Sequence, residues 1–154
     1  MESLHHTISA GLARHYEEFL GKVHQWAAAL SEEQFWTKPY PYGNSYGHLV
    51  LHLTGNLNYY IGAQIAETGY VRDRDREFTD PHPPTKAEAL QKLDEAVAMV
   101  VGTLHAQTAD DWAKPYAAVG DAGAGNRFNI VLRCTTHFYH HIGQMIYLHR
   151  EWQK

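Results

Sequence analysis

Four segments of the chain carry apolar residues at the three- and four-residue spacing of an amphipathic helix, and this patterning constrains the fold more than any other feature. The spacing predicts helices over residues 4–30, 46–66, 85–104 and 128–151. No segment of useful length alternates apolar and polar residues as a half-buried strand does. At 154 residues the chain has the length of one domain, so we expect a single all-α domain over residues 1–154, built as a four-helix bundle.

The segments between the predicted helices carry signals for caps and loops. Asn44 or Ser45 can cap the second helix, and Thr85 can open a capping box for the third. Residues 71–84 are dense in charge and close with three prolines, which predicts a long surface connection. Its length allows a crossover, so an up-down-down-up path and a simple up-and-down path both remain open. Residues 114–126 hold three glycines and predict a second loop.

Composition and charge exclude several classes of function. The formal net charge of −4 and the absence of a Lys/Arg cluster leave no basic face for nucleic acid or for an anionic membrane surface. No run approaches the roughly 20 apolar residues that cross a bilayer, and the N-terminal segment lacks the pattern of an export signal. Cys134 is the only cysteine, so no internal disulfide can form. We therefore expect a soluble, cytoplasmic protein.

The chain contains twelve histidines, and three of them fall on the predicted apolar stripes. His137 and His141 are four residues apart, which places both rings on one face of a helix, one turn apart, where they can hold one ion. His52 lies on the stripe of the second helix and is the candidate third ligand. A buried imidazole without a partner costs about 1–3 kcal/mol, so three together favour a shared metal ion. His48 repeats the spacing with His52, so a set of four remains open, although His48 fits better at the rim.

Three segments resemble the DinB/YfiT-like superfamily of metalloenzymes. Residues 44–57, NSYGHLVLHLTGNL, look like the signature of its second helix, and residues 137–146, HFYHHIGQMI, are similar to its motif in the fourth helix. Residues 72–78, RDRDREF, look like the charged segment that follows the second helix in the branch with the HLxGN motif. The three motifs occur in the expected order and span nearly the whole chain.

The resemblance implies a four-helix bundle with the up-down-down-up path, frequently a homodimer, with a divalent metal near one end. By this resemblance the metal ligands are His52, His137 and His141. We expect zinc or nickel first, and iron, manganese or copper remains open, because three imidazoles suit zinc, nickel, copper and iron alike. Related members often have another residue at the position of His48, so the number of ligands in this chain also remains open.

Three neutral imidazoles leave a coordination position open, where a divalent ion can activate water or a thiol. The wider superfamily includes thiol-dependent S-transferases and isomerases. The resemblance therefore implies a metal-dependent, S-transferase-like enzyme that acts on a small molecule together with a low-molecular-weight thiol. A metal-dependent hydrolase and a non-catalytic metal-binding or stress-response protein are the alternatives. A metal-free helical interaction module is a further hypothesis.

Other residues are candidates for a supporting or substrate-binding role, but none can be identified as a general base. Cys134 lies three residues before His137 on the same helical face, so it can approach the ion or a substrate. The arginines of the 72–78 segment can bind a carboxylate through their guanidinium groups. The full set of supporting candidates comprises His48, Asn56, Tyr60, Arg72, Arg74, Cys134 and Gln144.

Overall fold

A computed structural model describes residues 3–154, and in it the chain is predominantly helical, as the sequence predicts. Two strands of two residues each, β1 (Pro115–Tyr116) and β2 (Gly125–Asn126), pair antiparallel within the glycine-rich loop. The α-helices of residues 3–154 are α1 (Leu4–Ala27), α2 (Glu32–Trp36), α3 (Tyr46–Leu57), α4 (Arg76–Thr79), α5 (Lys86–His105), α6 (Ala109–Ala113) and α7 (Arg127–Glu151).

The four predicted helices correspond to α1, α3, α5 and α7, which enclose the hydrophobic core. Helix α1 packs against α5 and α7, and α3 packs against the same two helices. Aromatic rings fill the space between α1 and α7, where Phe138 stacks on Phe19 with ring centroids 5.4 Å apart. The all-α prediction is confirmed, and the up-down-down-up path stays a prediction.

The predicted helix boundaries are correct where a capping residue marks them. Ser45, not Asn44, caps α3 and accepts a hydrogen bond from the backbone N–H of His48. Thr85 and Glu88 form the predicted capping box at the start of α5. The first helix ends at Ala27, short of the predicted residue 30. The prediction ran too far because the buried Leu30 continues the apolar spacing beyond the last residue of the helix.

The second helix differs more from its prediction over residues 46–66. Its α-helical part ends at Leu57, and a π-helical turn, Asn58–Ala63, follows. The apolar spacing does not separate one π-helical turn from an α-helical turn, so the sequence could not indicate it. The Tyr116 hydroxyl donates a hydrogen bond to the Tyr60 backbone oxygen of this turn, which ties the glycine-rich loop to the end of α3.

The 71–84 connection also departs from a simple surface loop, because it contains α4 and directs one carboxylate inward. Glu77 in α4 is only 7% exposed and lies against α3. The structure thus places α4, α3 and α7 around one small region.

Among residues 3–154, no helix combines the length and the apolar character that crossing a membrane requires.

Candidate metal centre

Helices α3 and α7 bring the three predicted histidines together at one point. The Nε2 atom of His137 lies 3.1 Å from Nε2 of His52 and 3.1 Å from Nε2 of His141. His52 and His141 are 7% and 9% exposed, so the cluster lies largely inside the protein. Nitrogens bound tetrahedrally to zinc at about 2.0–2.1 Å lie roughly 3.3 Å apart, which is close to the observed spacing. We call these residues the three-histidine cluster.

The opposite ring nitrogens of two of these histidines have hydrogen-bond partners. Nδ1 of His52 lies 2.8 Å from Oε2 of Glu77, and Nδ1 of His141 lies 2.7 Å from Oε1 of Gln144. Since a carboxylate and an amide oxygen only accept hydrogen bonds, these two Nδ1 atoms carry the proton. The neutral rings then direct the lone pairs of Nε2 toward the centre of the cluster, as metal ligands do.

Hydrogen bonds among the three rings cannot give every Nε2 atom of the cluster a partner. A proton on Nε2 of His137 can be donated to only one of the two facing lone pairs, which leaves the other unpaired. Burial, together with the neighbouring histidines, lowers the pKa of His137 to about 3. Burial likewise lowers the pKa of His141 to about 4, although the hydrogen bond that its Nδ1–H donates to Gln144 opposes the shift. Both rings are therefore neutral at pH 7, the form that binds a metal ion.

One polar atom of the cluster has no partner of its own. Nδ1 of His137 is buried and makes no hydrogen bond within residues 3–154. An unpaired buried ring nitrogen costs about 1–3 kcal/mol in a metal-free protein whichever nitrogen holds the proton. A cation on Nε2 leaves this Nδ1 protonated and still unpaired, so the fit to a divalent transition metal rests on the three convergent Nε2 atoms and not on Nδ1.

Glu77 also belongs to this candidate site, although the sequence did not single it out. Its carboxylate accepts hydrogen bonds from Arg72 Nε at 2.7 Å and from Arg72 Nη2 at 3.0 Å, in addition to facing His52. The carboxylate therefore orients His52 and is itself oriented by a guanidinium. The only signal was its position inside the charged 72–78 segment, where an acidic residue is not unusual.

Gly55 makes this contact geometrically possible. A Cβ atom built at Gly55 would overlap Oε1 of Glu77 and lie 3.3 Å from Nε of Arg72. The backbone of α3 must therefore be bare at this position for the carboxylate to reach His52. This accounts physically for the glycine within the HLTGN sequence that begins at His52.

Substituting Gly55 with alanine should displace the Glu77 carboxylate. We expect Gly55→Ala to destabilise the protein by about 1–3 kcal/mol, as overpacking does, and to weaken zinc binding about 10- to 100-fold through the misplaced His52. Gly102→Ala in α5 is the matched control, since nothing lies within 4 Å of its Cβ position, and it should stabilise the helix by about 0.5–1 kcal/mol. Urea unfolding and a competitive zinc titration measure both effects, and equal zinc affinity in the two variants would contradict the role given to Glu77.

A cavity of about 220 Å³, which we call the site cavity, adjoins the three-histidine cluster and is bordered by His52 and His137. The predicted candidates that line it are Asn56, Tyr60, Arg72, Arg74 and Cys134. Asp121 and Arg133 also line the cavity and pair with each other. This pair could not be predicted from local sequence patterns, because Asp121 lies in the glycine-rich loop, whose course depends on tertiary contacts.

The two remaining candidates, Gln144 and His48, do not line the site cavity. Gln144 accepts a hydrogen bond from His141 and borders a different cavity, together with Tyr40 and Tyr147. His48 bonds to the Ser45 hydroxyl through Nδ1 at 2.8 Å and is not part of the cluster. The structure therefore brings three of these histidines together and not four.

Cys134 borders the site cavity but does not join the cluster. Burial raises the pKa of its thiol to about 12, so the sulfur is protonated and uncharged at neutral pH. Nucleophilic attack requires a thiolate, and Cys134 is not among the side chains that converge in the cluster. Cys134 therefore acts as an apolar part of the cavity wall.

Fold and site together define a class of protein: a predominantly helical chain with a buried cluster of three histidines suited to a divalent metal ion. A family model described as a protein of unknown function (DUF1572) matches residues 11–154. The chain therefore belongs to the DUF1572 family. No curated protein matches the chain.

Proposed function

We propose that the protein is a divalent-metal-dependent enzyme of the DinB/YfiT-like type, with His52, His137 and His141 as the metal ligands. The observation that carries the proposal is the convergence of three Nε2 atoms, two of whose rings are held in the ligating tautomer by Glu77 and Gln144. A bound divalent ion supplies a Lewis acid that lowers the pKa of a coordinated water or thiol.

The residues around the cluster have separate tasks in this proposal. Glu77 and Gln144 fix the orientation of two ligand rings, and burial keeps His137 and His141 neutral by lowering their pKa. The site cavity gives a small molecule access to the ligand side of His52 and His137. We favour an S-transferase-like reaction, in which the sulfur of a low-molecular-weight thiol displaces a leaving group from the substrate and the thiol proton departs with that group. A hydrolase is the alternative within the same site.

Metal content is the first test of the proposed function. We expect purified, untagged protein reconstituted with zinc and then dialysed to retain about one equivalent, and His52→Ala and His137→Ala to retain much less, because two imidazoles bind far more weakly than three. Plasma mass spectrometry measures the metal, and circular dichroism confirms that each variant is folded.

His140→Ala is the matched control for this experiment. His140 neighbours His141 on α7 but is exposed, and its ring does not belong to the cluster. It should retain as much zinc as the wild type. Loss of zinc in His140→Ala equal to that in His137→Ala, or the absence of zinc in the wild type, would refute the assignment of the ligands.

Turnover separates the enzyme from a protein that only binds metal. A panel of low-molecular-weight thiols with electrophilic acceptors should show metal-dependent thiol consumption that His137→Ala loses while it stays folded. Metal binding without turnover of any thiol or ester would instead favour a metal-binding or stress-response role.

We further propose that the protein works as a cytoplasmic homodimer, independently of nucleic acid and membranes.

A further inference from the structure

The site cavity has a cationic lining in a protein whose formal net charge is −4. Three arginines, Arg72, Arg74 and Arg133, line it, and Asp121 is the only acidic side chain among the lining residues. Charges of one sign around a small cavity raise the local concentration of ligands of the opposite sign. The lining therefore favours an anionic ligand.

Two of these arginines are already neutralised by carboxylates. Glu77 pairs with Arg72, and Asp121 pairs with Arg133. Arg74, in contrast, makes neither an ion pair nor a hydrogen bond through its side chain with any residue in the described range 3–154. Its guanidinium carbon lies 5.7 Å from the ring centroid of Phe78.

Phe78 connects this cation to the three-histidine cluster. The Phe78 ring lies 5.1 Å from the ring of His52, measured between centroids. The aromatic face supports the guanidinium without neutralising its charge, because a cation–π contact leaves the N–H donors free. Arg74 can therefore bind an anionic group of a ligand that lies in the site cavity beside the cluster.

A second unpaired group lies in the wall of the same cavity. Asn56, one helical turn beyond His52, is 7% exposed, and its side-chain oxygen is buried without a hydrogen-bond partner among the described residues. An unpaired buried amide oxygen costs about 1–3 kcal/mol. A polar ligand that hydrogen-bonds to this amide would recover that cost.

The size of the cavity limits the ligand. Its volume of about 220 Å³ is about seven times the roughly 30 Å³ that a water molecule occupies in the liquid. A compact metabolite fits this space, whereas a drug-sized ligand needs about 300 Å³ or more. One free guanidinium also matches a singly charged carboxylate, which it can bind through two parallel hydrogen bonds.

We propose that the site cavity binds a small molecule with a metal-binding group at one end and a carboxylate at the other, and that Arg74 binds this carboxylate. This inference rests on the proposed function, since the first end requires a metal in the three-histidine cluster. It makes Arg74 the residue that determines the substrate class of the site.

Succinate and propionate are suitable probes, because they differ by one carboxylate at the end away from the metal. We expect zinc-loaded wild type to bind succinate at least about 10-fold more tightly than propionate, which corresponds to about 1.4 kcal/mol. Arg74→Gln should reduce this ratio to about 2-fold or less while the zinc content stays at one equivalent. Isothermal titration calorimetry measures both affinities.

Arg76→Gln is the matched control, since it removes the same charge from the same segment. Arg76 pairs with Asp80 and borders a different cavity, so this variant should keep the wild-type preference for succinate. Equal affinity for the two probes in zinc-loaded wild type, or an equal loss in both variants, would overturn the inference and leave the metal site intact. Failure of the wild type to hold zinc would overturn the proposed function and this inference together.

Discussion

Saturating zinc should raise the free energy of unfolding of the wild type by about 4 kcal/mol when free zinc exceeds its dissociation constant 1,000-fold. The ion binds the assembled three-histidine cluster, whereas the unfolded chain offers the same imidazoles only as separate, mobile groups. For a chain of this length the expected rise in melting temperature is about 8–16 °C. Thermal unfolding followed by circular dichroism, with zinc and with a chelator, measures it.

The same comparison decides between a metal site and a metal-free interaction module. His137→Ala should lose most of the zinc-dependent shift, because His137 provides the Nε2 atom that lies 3.1 Å from both of the others. The exposed His140 gives the control, and His140→Ala should keep the full shift. Identical melting temperatures of the wild type with zinc and with chelator would favour the interaction module.

The parts of the structure that could be predicted from sequence are those set by local periodicity. The stripe that places Phe138 in the core also places His141 on the buried side of α7, so spacing alone selected this histidine. Ser45 and Thr85 marked helix starts because a cap acts over only three residues. These signals act within one or two helical turns, which is why they are readable from one sequence.

Spacing could not decide between His48 and His52. Both point to similar sides of α3, but the position along α3 at which α7 approaches it determines which ring meets His137. His52 lies at that level, and His48 lies a turn earlier, near Trp36 and Phe78. The family resemblance indicated His52, and the geometry of the packed helices supplies the reason.

Contacts that cross a loop were beyond the reach of the sequence. Glu77 contacts His52, which lies 25 residues earlier in the chain, and Asp121 of the glycine-rich loop pairs with Arg133 of α7. The course of such segments depends on tertiary contacts and not on local propensity. Gly55 was part of a recognised motif, but its reason, the close approach of Glu77, required the folded chain.

Removing the carboxylate of Glu77 should strongly lower the stability of the zinc-free protein. The side chains of Arg72 and Glu77 are 9% and 7% exposed, so Glu77→Ala leaves a buried guanidinium without its partner. Breaking a buried pair in this way costs about 3–5 kcal/mol. The variant also loses the acceptor for Nδ1 of His52, which should weaken zinc binding about 10- to 100-fold. Urea unfolding in the presence of a chelator and a competitive zinc titration measure the two effects separately.

The ion pair of Arg76 with Asp80, at the end of the same short helix, is the control for this prediction. The Arg76 side chain is 69% exposed, so Asp80→Ala should cost no more than about 1 kcal/mol and leave zinc affinity unchanged. If Glu77→Ala is too unstable to titrate, Glu77→Gln retains an oxygen for His52 and should bind zinc with an affinity between those of Glu77→Ala and the wild type. A Glu77→Ala variant as stable as Asp80→Ala, with wild-type zinc affinity, would mean that His52 is held by the helices alone. Glu77 would then have no part in shaping the metal site.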